Sequence, residues 1–402
     1  MARILVTDAR LGSAVSIIRS LGRRGHEVLA ADSESLSAGF YSRDATERIR
    51  YPAPDHDPDG AVDALLATIR ERSVDLVVPV TDDVILPLSR VRDRFEALCA
   101  VALPDPTSLA VARDKQATLE LARSLGVPVP RTALVETVAE ARREAATLGW
   151  PIVLKPQASR VYGRDTIDAF NVAYAGGFGR LEALMAPFEG RCSVLLQEYR
   201  RGEGLGVELL TLKGVPLAVF QHRRLREVPI TGGASSFRES VPVDPSLLDL
   251  AVRMLAALDW TGLAMVEFKV GSGGPTLMEI NGRVWGSLPL AVKSGVDFPA
   301  LLADVHLGGG SNANGSHNGS YTTGVRSRNL ELEVVWIASV LRGARRYPFL
   351  PVPPRRMALA AAARLFVPGD GYDILAADDP LPGLADILRI AGRLRRKIAR
   401  GR

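Results

Sequence analysis

The sequence predicts an α/β protein of two or three packed units, and three observations carry that expectation. Short apolar runs alternate with helical patterns through the first hundred residues, which implies a parallel sheet. The stretch from Val194 to Val270 is strand-rich and broken by one helix. The 402 residues leave room for more than one core, since a domain takes roughly 100–200 residues.

The elements follow in order. Ile4–Val6 reads as a strand, Ala14–Leu21 as a helix closed by Gly22 and Gly25, and Val28–Ala31 as a second strand ending at Asp32. Ala61–Arg70 is a helix, and Leu76–Val80 a strand ending at Thr81-Asp82-Asp83. This first unit looks Rossmann-like. Its first turn, Asp8 to Ser13, holds only Gly12 where the dinucleotide fingerprint needs three spaced glycines, so a dehydrogenase is disfavoured. Asp8, Asp82 and Asp83 end strands; they either face a ligand cleft or cap helices.

A boundary falls near Leu103-Pro104-Asp105-Pro106. A helix from Lys115 to Leu125 stops at Gly126, and Thr137–Leu148 is another. Gly149-Trp150-Pro151 turns into the strand Ile152–Pro156. Val194–Tyr199 is a strand, and Val207–Leu212 with Val215–Gln221 reads as a hairpin. Leu247–Leu258 is helical; Leu263–Val270 and Thr276–Ile280 are strands joined by the turn cluster Gly271–Pro275. Gly308–Gly319, rich in Gly, Ser and Asn, reads as a loop or linker. Beyond it lies a smaller region ending in a basic amphipathic helix, Leu384–Ala399, expected to pack on the body through its apolar side, with dimerisation or contact with an anionic membrane surface as the alternatives.

Composition narrows the function. The net charge is +5, but Arg389 to Arg402 alone holds seven basic residues and no acid, so the body is close to neutral and a nucleic-acid partner is not expected. Cys99 and Cys192 sit far apart and form neither a disulfide framework nor a metal pattern, which fits a reducing, cytoplasmic setting. The opening Met1–Asp8 reads as a strand and not as a signal peptide. No apolar run reaches the ~18 residues of a membrane span. Of 50 basic residues only six are Lys, and a retained Lys marks a place where a compact point charge is wanted.

Four constellations carry chemistry. Glu279 and Asn281, two apart on a strand, share a face, and the turn before them brings Glu267 alongside; two carboxylates and an amide oxygen are hard ligands suited to Mg²⁺. The bland alternative is a pair of solvated strand acids. Lys155 ends an apolar strand and Lys115 starts a helix, where both suit a phosphate; the ordinary alternative for each is an exposed surface charge. Gln197-Glu198-Tyr199 exits into the Gly-rich stretch Arg200–Gly206, a hinge whose backbone could meet an adenine edge. Arg223 and Arg224, in the run Gln221–Glu227 ahead of Thr231–Ser236, suit an anion; His222 alone reads as structural.

The ordered set (Lys115, Lys155-Pro156, Gln197-Glu198-Tyr199, Met265-Val266-Glu267-Phe268 and Met278-Glu279-Ile280-Asn281-Gly282-Arg283) resembles the ATP-grasp superfamily, and within it the carboxylate–amine ligases related to the carbamoyl-phosphate synthase large chain. The run Trp285–Leu288 through Gly295–Pro299 adds to the likeness, which covers about residues 1–310. The resemblance implies a Rossmann-like pre-ATP-grasp domain over 1–105, an ATP-grasp domain of two α+β subdomains over 106–310 with a mobile lid at about 120–195, and a linker and mainly helical region over 311–402. It implies ATP and Mg²⁺ (or Mn²⁺) as cofactors, with Lys115 and Lys155 on phosphates, Gln197, Glu198 and Tyr199 at the adenine, Glu203 or Glu208 on ribose, and Glu267, Glu279 and Asn281 on the metal. Arg283 would steady the transferred phosphoryl group, and Arg223 and Arg224 the reacting carboxylate or a phosphate. The implied activity is ADP-forming ligation of a small carboxylate to an amine, in a chain that could form a homodimer. The alternatives are carboxylation with bicarbonate, or nucleotide sensing with little turnover. After Lys155 the sequence departs from the family's glycine-rich loop: only Gly163 remains, which leaves the loop role of Ser159 and Arg160 open.

Overall fold

The computed structural model describes residues 1–157, 160–162, 167–169, 172–230, 232–308, 320–343, 349–365 and 369–400. The readings made for Ser159, Gly163, Thr231 and most of the 308–319 segment fall outside the described residues, as does the Arg160 side chain.

The first strands, Arg3–Val6, Glu27–Asp32, Glu47–Arg50, Leu76–Val78 and Ala100–Val101, form a parallel sheet in the order third, second, first, fourth, fifth. The order reverses between the first and fourth strands, the place where open parallel sheets ordinarily take ligands at their carboxyl ends. Asp8, at the end of the first strand, is not open to a ligand. It is buried at φ 55°, accepts from Thr81 N and Oγ1 at 3.2 and 2.9 Å, and is tied to Tyr51 and Arg10. Burial raises its pKa despite Arg10. Asp82, one residue beyond Thr81, starts the helix Asp82–Arg90 and does face outward to the site.

A small antiparallel sheet follows, in the order Ala173–Ala175, Ile152–Pro156, Val194–Glu198, Thr132–Val135. Helices Val138–Leu148 and Phe178–Met185 cover one of its faces around Ile152, Leu154, Val194 and Leu196. Thr137 and Glu140 close the first of these helices with a reciprocal capping box.

The large sheet has seven strands in the order Gly274–Asn281, Gly262–Gly271, Glu203–Leu212, Val215–Val228, Ala234–Ser240, Arg326–Arg328, Gly371–Tyr372. All neighbours are antiparallel except the last pair. The region beyond residue 310 is thus not only helical. It adds two edge strands too short to show an alternation, besides the helices Leu330–Arg342, Arg355–Arg364 and Leu381–Arg400.

Two cores join the parallel and large sheets. One packs Leu5, Leu29 and Val77 with Val207, Leu209, Val266 and the helix Pro245–Ala257. The other packs Ile17 and Ile18 with Phe220, Trp285 and Phe298. The small sheet has a core of its own.

The start of the last helix is pinned to the parallel-sheet unit by Asp379, which accepts from Ser42 Oγ at 2.7 Å, Arg19 Nε at 2.9 Å and Arg43 N at 3.2 Å. Burial alone would raise its pKa, but Ser42, Arg19 and Arg43 outweigh that and hold it low. A lowered carboxylate pKa contributes stability above the unfolded value of about 3.9 and loses it as pH falls through the folded value. Asp379→Asn is therefore expected to cost about 3 kcal/mol near neutral pH, because it leaves Arg19 buried without its partner. In urea unfolding the gap from the parent should close below about pH 4.

Candidate active site

The site starts from a row across the large sheet. His222 lies opposite Gly206, Gly206 opposite Glu267, and Glu267 opposite Glu279. Strand alternation places Asn281 on the same face as Glu279. Asn281 Nδ2 donates to Glu267 Oε1 at 2.9 Å and to Glu279 Oε1 at 3.2 Å, which locks the two acids side by side. The amide oxygen of Asn281 is then turned away from those two bonds. Arg224 makes an ion pair with Glu267 and reaches Glu227 at 3.3 Å and Gly233 O at 3.1 Å. Lys269 closes the group on Glu227 at 3.2 Å.

The glycines at 204 and 206 make this crowding possible. They lie inside the strand Glu203–Leu212, not in a hinge, which corrects the sequence reading. A Cβ at Gly206 would sit 2.5 Å from His222 Cε1, and one at Gly204 would sit 3.1 Å from Arg224 Cδ. Bare backbone lets the side chains of the neighbouring strand lean across toward Glu267.

The small sheet presents its other face to this row. Lys155 and Leu195 are opposite one another, as are Val153 and Gln197, so Lys155 and Gln197 share that face. Lys155 is buried, and burial lowers its pKa against the pull of Glu279. Lys115 begins the helix Lys115–Ser124, whose cap Asp114 accepts from Gln116 N and Ala117 N and is held by Gln157 Nε2 at 2.9 Å. Burial lowers the Lys115 pKa as well, with Glu279 and Asp82 opposing. The two acids are pushed apart: burial raises Glu267 despite Arg224, whereas at Glu279 burial is outweighed by Lys155, Lys115 and Arg224, and its pKa falls. Arg283 Nε bonds Asp82 Oδ2 at 2.8 Å, and this carboxylate more than offsets burial and raises the Arg283 pKa. A cavity of about 130 Å³ lies between these groups, lined by Asp82, Arg113, Lys115, Thr118, Glu279 and Arg283.

At the far end, Gln197 Nε2 donates to Thr132 Oγ1 at 3.1 Å, while its buried Oε1 meets no partner among the described residues. Tyr199 packs edge-on against Tyr174 with centroids 6.1 Å apart.

Lys115, Lys155, Gln197, Tyr199, Arg224, Glu267, Glu279, Asn281 and Arg283 are therefore brought together; four other sequence candidates are not. Arg223 neighbours Arg224 on one strand and so points to the opposite face, where it meets Glu239 at 2.5 Å. Glu203 is on that opposite face too, 3.5 Å from Arg223. Glu208 is wholly enclosed, 2.5 Å from His222 Nδ1 and accepting from Ser287 Oγ at 3.1 Å, so neither acid offered for a ribose opens onto the site. The Glu198 carboxylate turns away from Gln197 and is held by Arg131 N at 2.8 Å, Arg131 Nε at 3.0 Å and Arg200 at 2.9 Å. Glu227 and Lys269 were missed, while His222, read as structural, is enclosed beside Glu208. Strand alternation from Glu267 would have placed Lys269; Glu227 follows irregular pairing at Arg226 and had no such signal.

Among the described residues no group of three or more His, Cys, Asp or Glu is placed to hold a metal ion. Two carboxylates and one amide oxygen are still a fitting set for a hard cation that takes the rest of its oxygens from phosphates and water, as Mg²⁺ does.

Residues 191–330 match the family model described as ATP-grasp in the biosynthetic pathway with Ter operon. The chain is similar to the carbamoyl phosphate synthase large chain of Deinococcus radiodurans, at 23% identity over 315 residues, covering 74% of this chain and 28% of that protein. Among solved structures it resembles biotin carboxylase from Campylobacter jejuni, with a TM-score of 0.63 at 17% identity, covering 77% of this chain and 71% of that one. The L-amino acid ligase from Bacillus licheniformis follows, with a TM-score of 0.59 at 18% identity and coverage of 76% and 74%.

Proposed function

We propose that this chain, an ATP-grasp protein by its fold, is an ADP-forming ligase that phosphorylates a small carboxylate and couples the acyl-phosphate to an amine. The observation that carries the reading is the clasp of Glu267 and Glu279 by Asn281, facing Lys155 of the small sheet and flanked by Lys115 and Arg283. Oxygen donors and buried cations alternate there over a few ångströms, the arrangement a metal-bound triphosphate needs.

In this reading Lys115 and Lys155 hold phosphate oxygens, and the nucleotide base lies toward Gln197 and Tyr199, where the Gln197 Oε1 can accept from an amino group. Glu267, Glu279 and Asn281 hold Mg²⁺, which when bound neutralises charge on the β- and γ-phosphate oxygens. Arg283, kept rigid by Asp82, steadies the phosphoryl group in transfer. Arg224 orients the carboxylate that attacks the γ-phosphorus. An amine then displaces phosphate from the acyl-phosphate, and burial of the site keeps water from doing so first. We assign residues 1–105 to a pre-ATP-grasp unit and 106–310 to the ATP-grasp unit, with the sheet in 120–195 as its lid.

The test traps the intermediate. The protein is incubated with Mg-ATP, pooled carboxylates and hydroxylamine, which converts an acyl-phosphate to a hydroxamate and phosphate. Hydroxamate formed together with ADP is the expected result. ADP formed with bicarbonate and no amine would point to carboxylation instead. Nucleotide binding with no ADP from any pool would count against turnover.

A further inference from the structure

The helix Leu381–Arg400 sits on the protein the wrong way round for a surface helix. Pro382, Gly383, Ala385, Asp386, Arg389 and Ile390 face the body. Leu381, Leu384, Ile387, Leu388 and Leu394 face outward, each between 40% and 63% exposed. The first four recur at three and four residues, and Leu394 follows Ile387 by two turns through the exposed Ala391, which draws one apolar stripe along the helix. A soluble helix ordinarily buries such a stripe.

The orientation is fixed on the inner side. Arg389 bonds Asp386 at 2.6 Å and Glu331 at 2.8 Å, and Arg393 bonds Glu34 at 2.5 Å and Glu331 at 3.1 Å. At Gly383 a Cβ would come within 2.4 Å of Leu375 Cδ2, so this turn lies hard against the chain beneath it. Rolling the leucines inward would break the bonds to Glu331 and Glu34 and lift Gly383 off Leu375, while the Arg389–Asp386 pair, internal to the helix, would survive. The stripe is therefore presented, and not merely left over.

The charges beside it say to what. Arg395, two turns beyond Leu388, continues the line of the stripe, and Arg396, in line with Arg389 and Arg393, is exposed at the groove between the helix and Glu34. The one acid of residues 381–396, Asp386, is buried under Arg389. The outer side of the helix thus carries no acid of its own, and Glu34 of the body beside it is taken by Arg393. A second copy of the same face would give these arginines no counter-charge. A bilayer of anionic lipid has both an apolar layer and a negative surface at the matching depths. No helix among the described residues is long and apolar enough to cross a membrane, so the geometry is that of a helix lying in the interface.

We propose that the outer face of Leu381–Arg400 docks the protein onto an anionic membrane surface, with the leucine stripe in the acyl boundary and Arg395 and Arg396 at the headgroups. The inference is independent of the nucleotide site. It is tested by sedimentation of the full chain with phosphatidylcholine vesicles with and without phosphatidylglycerol. The parent is expected to partition to the anionic vesicles and not to the neutral ones. Leu384→Glu with Leu388→Glu, and separately Arg395→Glu with Arg396→Glu, should each weaken that partition roughly tenfold or more with melting unchanged, since all four side chains are exposed. Absence of parent binding, or equal binding by the leucine variant, would overturn the proposal. So would light scattering that shows a dimer dissolved by the leucine variant, which would give the stripe to a second copy.

Discussion

Glu279→Gln is expected to lower substrate-dependent ADP release by about a thousandfold or more, because charge neutralisation by a bound metal is worth several kcal/mol and each 1.36 kcal/mol is tenfold. The change keeps the shape of the side chain and its contact with Asn281, so the loss would be electronic. It also removes an anion that Lys155, Lys115 and Arg224 hold below its ordinary pKa. Those three cations are then left with Glu267 as the nearest acid of the clasp. A stability loss of about 1–2 kcal/mol follows, at the low end for a broken pair because the carboxylate is only part-buried. Coupled-enzyme detection of ADP, urea unfolding and binding of a fluorescent ATP analogue separate the effects. Activity within about tenfold of the parent would remove Glu279 from the metal clasp.

How much of this was legible in the sequence depended on distance along the chain. The clasp was readable because Glu267, Glu279 and Asn281 lie on two strands joined by one tight turn, where register follows from the turn. The contact of Arg283 with Asp82 spans 201 residues and was not readable, although each residue had been noticed for a local reason. The error at Arg223 has a definite cause. Gln221–Glu227 reads only as a run of charge, yet it is the second half of the strand Val215–Val228, paired on both edges. Read as a strand, alternation alone would have sent Arg223 and Arg224 to opposite sides. The glycines at 204 and 206 misled in the same way. A glycine that frees the backbone and one that admits a neighbour's side chain look alike until His222 and Arg224 are seen above them. The last helix showed its stripe plainly, but which side meets the body is decided by Glu34 and Glu331, far away in sequence.

Lys155→Met should separate nucleotide affinity from chemistry. A hydrogen bond to a charged group is worth about 1.5–3 kcal/mol, so loss of the ammonium should weaken ATP binding by about tenfold to a hundredfold. Without nucleotide the effect on stability should be smaller than that of Glu279→Gln. Burial already lowers the Lys155 pKa, and methionine fills the slot without a charge to desolvate. The gain is offset where Glu279 loses its foremost cation and its pKa moves back up, so net stability should change by no more than about 1 kcal/mol. Calorimetric titration of ATP and urea unfolding measure the two arms; unchanged ATP affinity would remove Lys155 from the phosphate site. Lys155→Arg sharpens the test, in a chain that keeps only six lysines among 50 basic residues. Arginine restores the charge but brings a planar fork into a slot that leaves lysine 9% exposed. It should bind ATP little better than the methionine variant. Full recovery by arginine would show that any cation serves there, and that the compact ammonium is not what the site selects.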